Sequence, residues 1–171
     1  MLLPIHDKSL QGINDTTDEA DFISVVDMFR KQVKKNPEKL AVVSPSSSLT
    51  YKKLDELSDK VAASLLSAGV VPEDIIMIML PRNVGVYVAT LGILKTGAAY
   101  TIVNVQYPDN RIAYIYNDAK CKHLISDKES VSNRTRLTAD ILKNTPPLLM
   151  ETMLSKWSGT AELPKIDINP S

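Results

Sequence analysis

Leu91-Gly-Ile-Leu-Lys-Thr-Gly-Ala-Ala-Tyr-Thr-Ile-Val-Asn-Val-Gln-Tyr-Pro-Asp-Asn-Arg-Ile-Ala-Tyr-Ile-Tyr-Asn-Asp118 is the stretch that decides the fold. It reads as the end of a buried helix, a tight turn at Gly97 and a strand from Ala99 to about Val103. A loop closed by Pro108 and a new helix from about Asn110 follow. A helix, strand, helix succession marks an α/β layer, and the flanking sequence repeats it.

Upstream, Ile75 to Leu80 is a continuous apolar run, the pattern of a strand covered on both faces as in a parallel sheet. Asn83 to Lys95 is apolar almost all round and reads as a largely buried helix. Tyr51 to Ala68 carries Leu54, Leu57, Val61, Leu65 and Ala68 at spacings of three and four, with Thr50 as its cap and Gly69 just past its end. Leu40 to Ser44 and Leu49 to Tyr51 form a small hairpin. A first helix is expected from Asp21, its N-cap, to Asn36, where Asn36-Pro37 stops it. Downstream, His123 to Ser126 is one more strand. The expected fold class is therefore α/β, with helices on a mostly parallel sheet joined by right-handed crossovers.

Residues 1–20 read as a linker, 21–129 as the α/β unit, 130–157 as a short helical segment and 158–171 as a tail. Within 130–157, Thr138 to Lys143 and Leu148 to Trp157 are expected as two short helices broken at Pro146-Pro147.

A chain of 171 residues with 44% apolar content is enough for one domain with a real core. The 20 basic and 20 acidic residues balance, so no electrostatic footprint for nucleic acid or an anionic membrane is present. Arg30, Lys31, Lys34 and Lys35 suit the solvated end of a helix. The lone Cys121 forms no internal disulfide, the first residues lack a signal-peptide pattern, and no apolar run reaches the ~18 residues of a membrane span. A cytoplasmic location is expected.

The residues that carry chemistry elsewhere are sparse. No pair among Gly12, Gly69, Gly85, Gly92, Gly97 and Gly159 has the spacing of a phosphate-cradling loop. Lys95-Thr96 imitates the end of a P-loop, but Leu94 occupies the glycine position and the pair closes a helix, so Lys95 is expected as a helix C-terminal cation. Cys121 and His123 would share one side of a strand, yet no second cluster completes a metal site, and Ser126-Asp127 beside His123 does not make a triad. Asp55, Glu56 and Asp59 are expected on an exposed helix face, and the six tyrosines at core edges. Arg111 is the best lone candidate for an anion contact, with pairing to Asp109 or Asp118 as the plainer account.

Leu49-Thr50-Tyr51-Lys52-Lys53-Leu54 resembles the L-T-Y-x-E-L motif that opens nonribosomal peptide synthetase adenylation domains, members of the acyl-adenylate-forming superfamily. Leu94-Lys95-Thr96-Gly97-Ala98-Ala99-Tyr100 is similar to their L-K-A-G-x-A-Y, and Tyr107-Pro108-Asp109-Asn110-Arg111-Ile112 to their Y-P-x-x-R-I. Asn14-Asp15-Thr16 is similar to the linker that precedes such a domain, and the register holds from about Gly12 to Asp127. Thr101-Ile102-Val103-Asn104 departs from the family's V-P-I-D, which puts the path of that strand exit in question.

The resemblance implies the N-terminal α/β subdomain of an adenylation domain, ending before the phosphate loop, the selectivity pocket and the catalytic lysine. It maps no catalytic, cofactor-binding or metal-ligating residue and no cofactor onto this sequence. The expectation is a non-catalytic structural or interaction module of a peptide or mixed polyketide–peptide synthetase system, partnered by a second copy as a homodimer or by a synthetase chain. Half of a split ATP-dependent adenylating enzyme, or an inactive fragment, are the alternatives. Apolar surface around Asn83 to Lys95 and its sheet is expected to need cover, with Leu148, Leu149, Met150, Met153, Leu154 and Trp157 available to supply part of it.

Overall fold

A computed structural model describes residues 23–132, 134, 141 and 146–156. The lead-in 1–20, Asp21 and Phe22, the expected helix 138–143 apart from Ile141, Trp157 and the tail 158–171 lie outside the described residues.

Helix α1 (Val25–Lys35) starts at Ser24, whose hydroxyl oxygen accepts the Asp27 amide, three residues later than the expected start at Asp21. Strands β1 (Leu40–Val43) and β2 (Ser48–Thr50) form the antiparallel hairpin, with a shift of register between Leu40 and Val42. Thr50 caps α2 (Tyr51–Ser67) by accepting the Lys53 amide, and Gly69 (φ 86°) follows its end in the left-handed region.

Then β3 (Ile75–Met79), α3 (Val84–Leu94), β4 (Ala99–Ile102), α4 (Asp109–Asp118) and β5 (His123–Ser126) alternate. The four-stranded sheet runs β4-β3-β5-β6, all parallel, where β6 is Leu148–Leu149. Here the expectation of a helix from Leu148 is corrected. The first two residues extend the sheet beside Ile125 and Ser126, and a helix α6 (Met150–Lys156) begins only after them. A short helix α5 (Lys128–Ser132) lies between β5 and β6, capped by Asp127, whose carboxylate accepts both the amide and the hydroxyl of Ser130.

The period of two along β3 divides the core. Ile76 and Ile78 point to a cluster with Leu54, Val61 and Leu65 of α2, Val88, Ala89 and Ile93 of α3, and Met150 and Met153 of α6. Met77 and Met79 point the other way, to Ile112 and Tyr116 of α4, Leu124 and Cys121. Helices α2, α3 and α6 therefore cover one face of the sheet and α4 the other. Gly92 is what lets α2 and α3 close up: a Cβ there would meet Val61 Cγ1 at 2.5 Å and the Ser58 carbonyl at 3.1 Å.

Lys95 stands at a helix C-terminus as the sequence suggests, and it is also a buried staple between two helices. At the end of α3 its side chain is fully buried and reaches back under α2. Its Nζ donates to Asp55 Oδ1 and Asp59 Oδ1, each at 2.6 Å, and to the Asp55 carbonyl at 3.1 Å. All three ammonium hydrogens are thereby satisfied, and the Phe29 ring of α1 lies 5.9 Å away. Asp55 and Asp59 stay partly exposed, at 26% and 40% of their side chains, but each turns an oxygen inward to the buried ammonium, while Glu56 pairs with Lys53 in solvent.

Candidate functional site at the switch point of the sheet

β3 and β4 are neighbours in the sheet, yet the chain leaves β3 toward α3 on one face and leaves β4 toward α4 on the other. Where the exits of adjacent parallel strands diverge, a crevice opens at their carboxyl ends, and open α/β sheets bind ligands there. Such a crevice, about 660 Å³ in volume, occupies this position. One wall is Leu80, Pro81 and Arg82 from the exit of β3, with Val86 of α3, and the other is the run 102–107.

The second wall has a fixed shape. Val103 prolongs the ladder by donating to the Ile78 carbonyl at 3.0 Å. Asn104 then turns the chain: its side-chain oxygen accepts the Gln106 amide at 2.9 Å and its carbonyl the Tyr107 amide at 3.0 Å. Behind this turn the Arg134 guanidinium donates to the Tyr107 carbonyl at 2.9 Å, to Asp109 Oδ1 at 2.8 Å and to the Val105 carbonyl. The departure from the family pattern at 101–104 thus ends in an Asn-built turn held from outside by an arginine.

Among the lining residues Arg82 carries the formal charge, with Asn104 and Gln106 supplying amides and Tyr107 a phenol. This is chemistry for recognising an anionic or hydrogen-bonding group, and the lining offers neither a carboxylate base nor an imidazole. Arg111 stacks 4.4 Å above the Tyr107 ring. Its expected pairing with Asp109 is corrected, because Asp109 belongs to Arg134.

The other candidates lie apart from the crevice. Cys121 precedes β5 and packs in the α4-side cluster, where burial pushes its thiol up to about 11, against the activation a nucleophile needs. Burial, and secondarily Cys121, raises Tyr116 as well. His123, at the start of β5, is held below the ordinary imidazole range by burial, which the nearby Asp74 partly opposes. Ser126 is buried and donates its hydroxyl to the Met79 carbonyl at 2.9 Å, and Asp127 caps α5, so His123, Ser126 and Asp127 share no catalytic geometry. Among the described residues no cluster of three or more His, Cys, Asp or Glu is placed to hold a metal, and no helix is long and apolar enough to cross a membrane.

Arg82, Gln106 and Arg134 were not singled out by sequence, and Asn104 was marked only as part of the departure at 101–104. The available signal was topological: Pro81 and Asn104 follow two consecutive parallel strands, the places where a switch-point crevice takes its walls.

The family model described as AMP-binding enzyme matches residues 29–166, well past the last of the quoted motifs. A dimodular nonribosomal peptide synthase of Bacillus subtilis (strain 168) is 35% identical over 130 residues, covering 75% of this chain and 6% of its own length. Bacitracin synthase 1 of Bacillus licheniformis is 36% identical over 145 residues, covering 81% and 3%. The chain therefore spans a small part of the relatives it matches. In fold it is similar to the N-terminal subdomain of Klebsiella oxytoca NpsA in complex with 3-hydroxyanthranilyl-AMSN, with a TM-score of 0.70 at 22% identity, covering 85% of this chain and 36% of that one.

Proposed function

The chain belongs to the AMP-binding enzyme family, and from that premise we propose that its 171 residues are a non-catalytic structural and docking layer of a nonribosomal peptide synthetase adenylation domain. In this reading they fold the N-terminal α/β subdomain and carry out no adenylyl transfer alone. The resemblance to synthetase relatives at 35% and 36% identity supports the setting.

The observation that carries the non-catalytic part is the state of the α3 amino terminus. A helix start beside a switch-point crevice is where a nucleotide phosphate would sit. At α3 the Gly85 amide already donates to Asn83 Oδ1 at 2.8 Å and the Val86 amide to the Asn83 carbonyl at 3.3 Å. The amides that open α3 are therefore taken by the protein's own cap, and no step through AMP is assigned here. Arg82 alone does not replace such a cradle, since phosphoryl chemistry needs several preorganised donors around the developing charge.

The test is an amide-resolved titration of the chain with ATP and magnesium. The expected result is no saturable shift at Val84, Gly85 or Val86 at millimolar ATP. Saturable shifts there would overturn the non-catalytic reading and favour half of a split adenylating enzyme.

A further inference from the structure

The chain leaves β5 at the same end of the sheet as it leaves β3 and β4, because the three strands are parallel. The segment 127–134 that follows therefore starts on the side of the crevice, and its contacts run in two directions. At its start the Lys128 amide donates to Glu151 Oε1 of α6 at 3.2 Å, and Asp127 closes the first turn of α5 through Ser130. In its middle Val131 packs on the cluster of Met77, Met79, Ile112 and Leu124. At its end Arg134 holds the crevice wall by the Val105 and Tyr107 carbonyls and by Asp109, the first residue of α4. One short segment thus touches α6, which packs on α2, and also the loop that enters α4 on the opposite face of the sheet.

The two ends of this segment are unequal. The guanidinium is a rigid fork, and it meets acceptors spread from Val105 to Asp109, a grip that a shift of the loop breaks as a unit. The loop's own contacts are local: Asn104 accepts the Gln106 and Tyr107 amides, and Arg111 stacks on the Tyr107 ring. The support of α5 is slight by comparison. It has five residues, none of them buried, and a helix that short is not stable by itself. The Lys128–Glu151 contact is exposed. Segments with few buried contacts and exposed hydrogen bonds open at a free energy well below that of global unfolding. The grip on the crevice wall is therefore carried by an element that can let go while the sheet stays folded.

We propose that residues 127–134 are a strap that sets the width of the crevice. Engaged, Arg134 holds 104–107 in the turn described above. Released, that wall is free to move relative to Arg82 and Val86 on the other side. Glu151 of α6 anchors the strap and biases the balance, so a change at α6 reaches the crevice without touching it. Arg134 is a positioning residue in this device, acting on the wall and not on a ligand. The inference stands on these contacts and is independent of the docking-layer reading.

Amide hydrogen exchange of the full 171-residue protein tests it. Gln106 and Tyr107 report the wall, and Leu124 and Ile125 of β5 report the fold. Arg134→Ala is expected to speed exchange at Gln106 and Tyr107 by ~10-fold or more, the worth of a charge-assisted grip, and to leave Leu124 and Ile125 slow. Arg134→Lys keeps a cation for Asp109 without the fork, so it recovers part of the protection. Glu151→Ala, at the far end of the strap, speeds the same two amides by about 2–5-fold and adds nothing once Arg134 is alanine.

Unchanged exchange at Gln106 and Tyr107 in Arg134→Ala overturns the proposal. So does a Glu151→Ala effect that is absent, or that adds in full to that of Arg134→Ala, since the strap then does not connect the two ends. Equal acceleration at Leu124 and Ile125 also overturns it, because Arg134 then supports the whole fold and not the wall.

Discussion

Replacing Lys95 by methionine removes the buried charge while keeping most of the side-chain volume, which isolates the electrostatic contribution of the contact between α2 and α3. Deleting one partner of a buried ion pair costs ~3–5 kcal/mol, because the other charge is left without compensation. Here the orphaned groups are Asp55 and Asp59, whose side chains retain 26% and 40% exposure. Water takes over part of their solvation, which reduces the expected loss to ~2–3 kcal/mol. With a urea slope of ~2 kcal/mol/M for a domain of this size, the unfolding midpoint falls by ~1–1.5 M. The control is Lys53→Met, which breaks the exposed Lys53–Glu56 pair and costs ~0–0.5 kcal/mol. Urea unfolding followed by circular dichroism of the two variants decides the matter. A Lys95→Met loss no larger than that of Lys53→Met would refute the buried-staple reading.

Gly92→Ala drives a methyl into Val61 Cγ1 and the Ser58 carbonyl. Overpacking of ~1–3 kcal/mol outweighs the helix-propensity gain of ~1 kcal/mol, so the melting temperature falls and Val61→Ala in the same chain recovers part of it. Raising the Cys121 thiol from 9.0 to about 11 cuts its thiolate ~100-fold near neutrality, so iodoacetamide at pH 8 modifies the folded protein ~100-fold more slowly than the urea-unfolded chain. Because the folded state holds that proton more tightly, the linked stability is complete below about pH 9 and is lost as pH rises through about 11, which alkaline urea titrations will show. His123 has the opposite sign: its folded pKa lies below the ordinary value, so its contribution is present above ~pH 6.5 and is lost as pH falls through the folded pKa. His123→Gln flattens the difference in urea midpoint between pH 7.5 and 5.5.

The alternation of helices and strands was legible because its signals are local. Ile75 to Leu80 has the pattern of a doubly covered strand, Thr50 and Gly69 mark the ends of α2 by their chemistry, and β5 runs over the residues predicted for it, His123–Ser126. Leu148 and Leu149 were misread because two apolar residues ahead of a helix have the same period whether they pair or coil. Only the neighbouring β5 decides, and that contact is not local. The burial and partners of Lys95 were not legible, for a related reason. Its place at a helix C-terminus was visible, but the partner lies forty residues away. One clue was present: Asp55 and Asp59 sit four apart on one helix, a like-charge spacing that disfavours an isolated helix and calls for a cation from elsewhere. The crevice was legible mainly through topology, since Arg82 and Gln106 belong to no motif, Asn104 was marked only as a departure from one, and Arg134 reaches the loop it holds from twenty-five residues beyond Asp109.

The most direct test of the non-catalytic docking layer is amino-acid-dependent exchange of pyrophosphate into ATP, measured on the 171-residue chain alone. The chain alone is predicted to stay at background with every proteinogenic amino acid. Exchange above background would contradict the central claim.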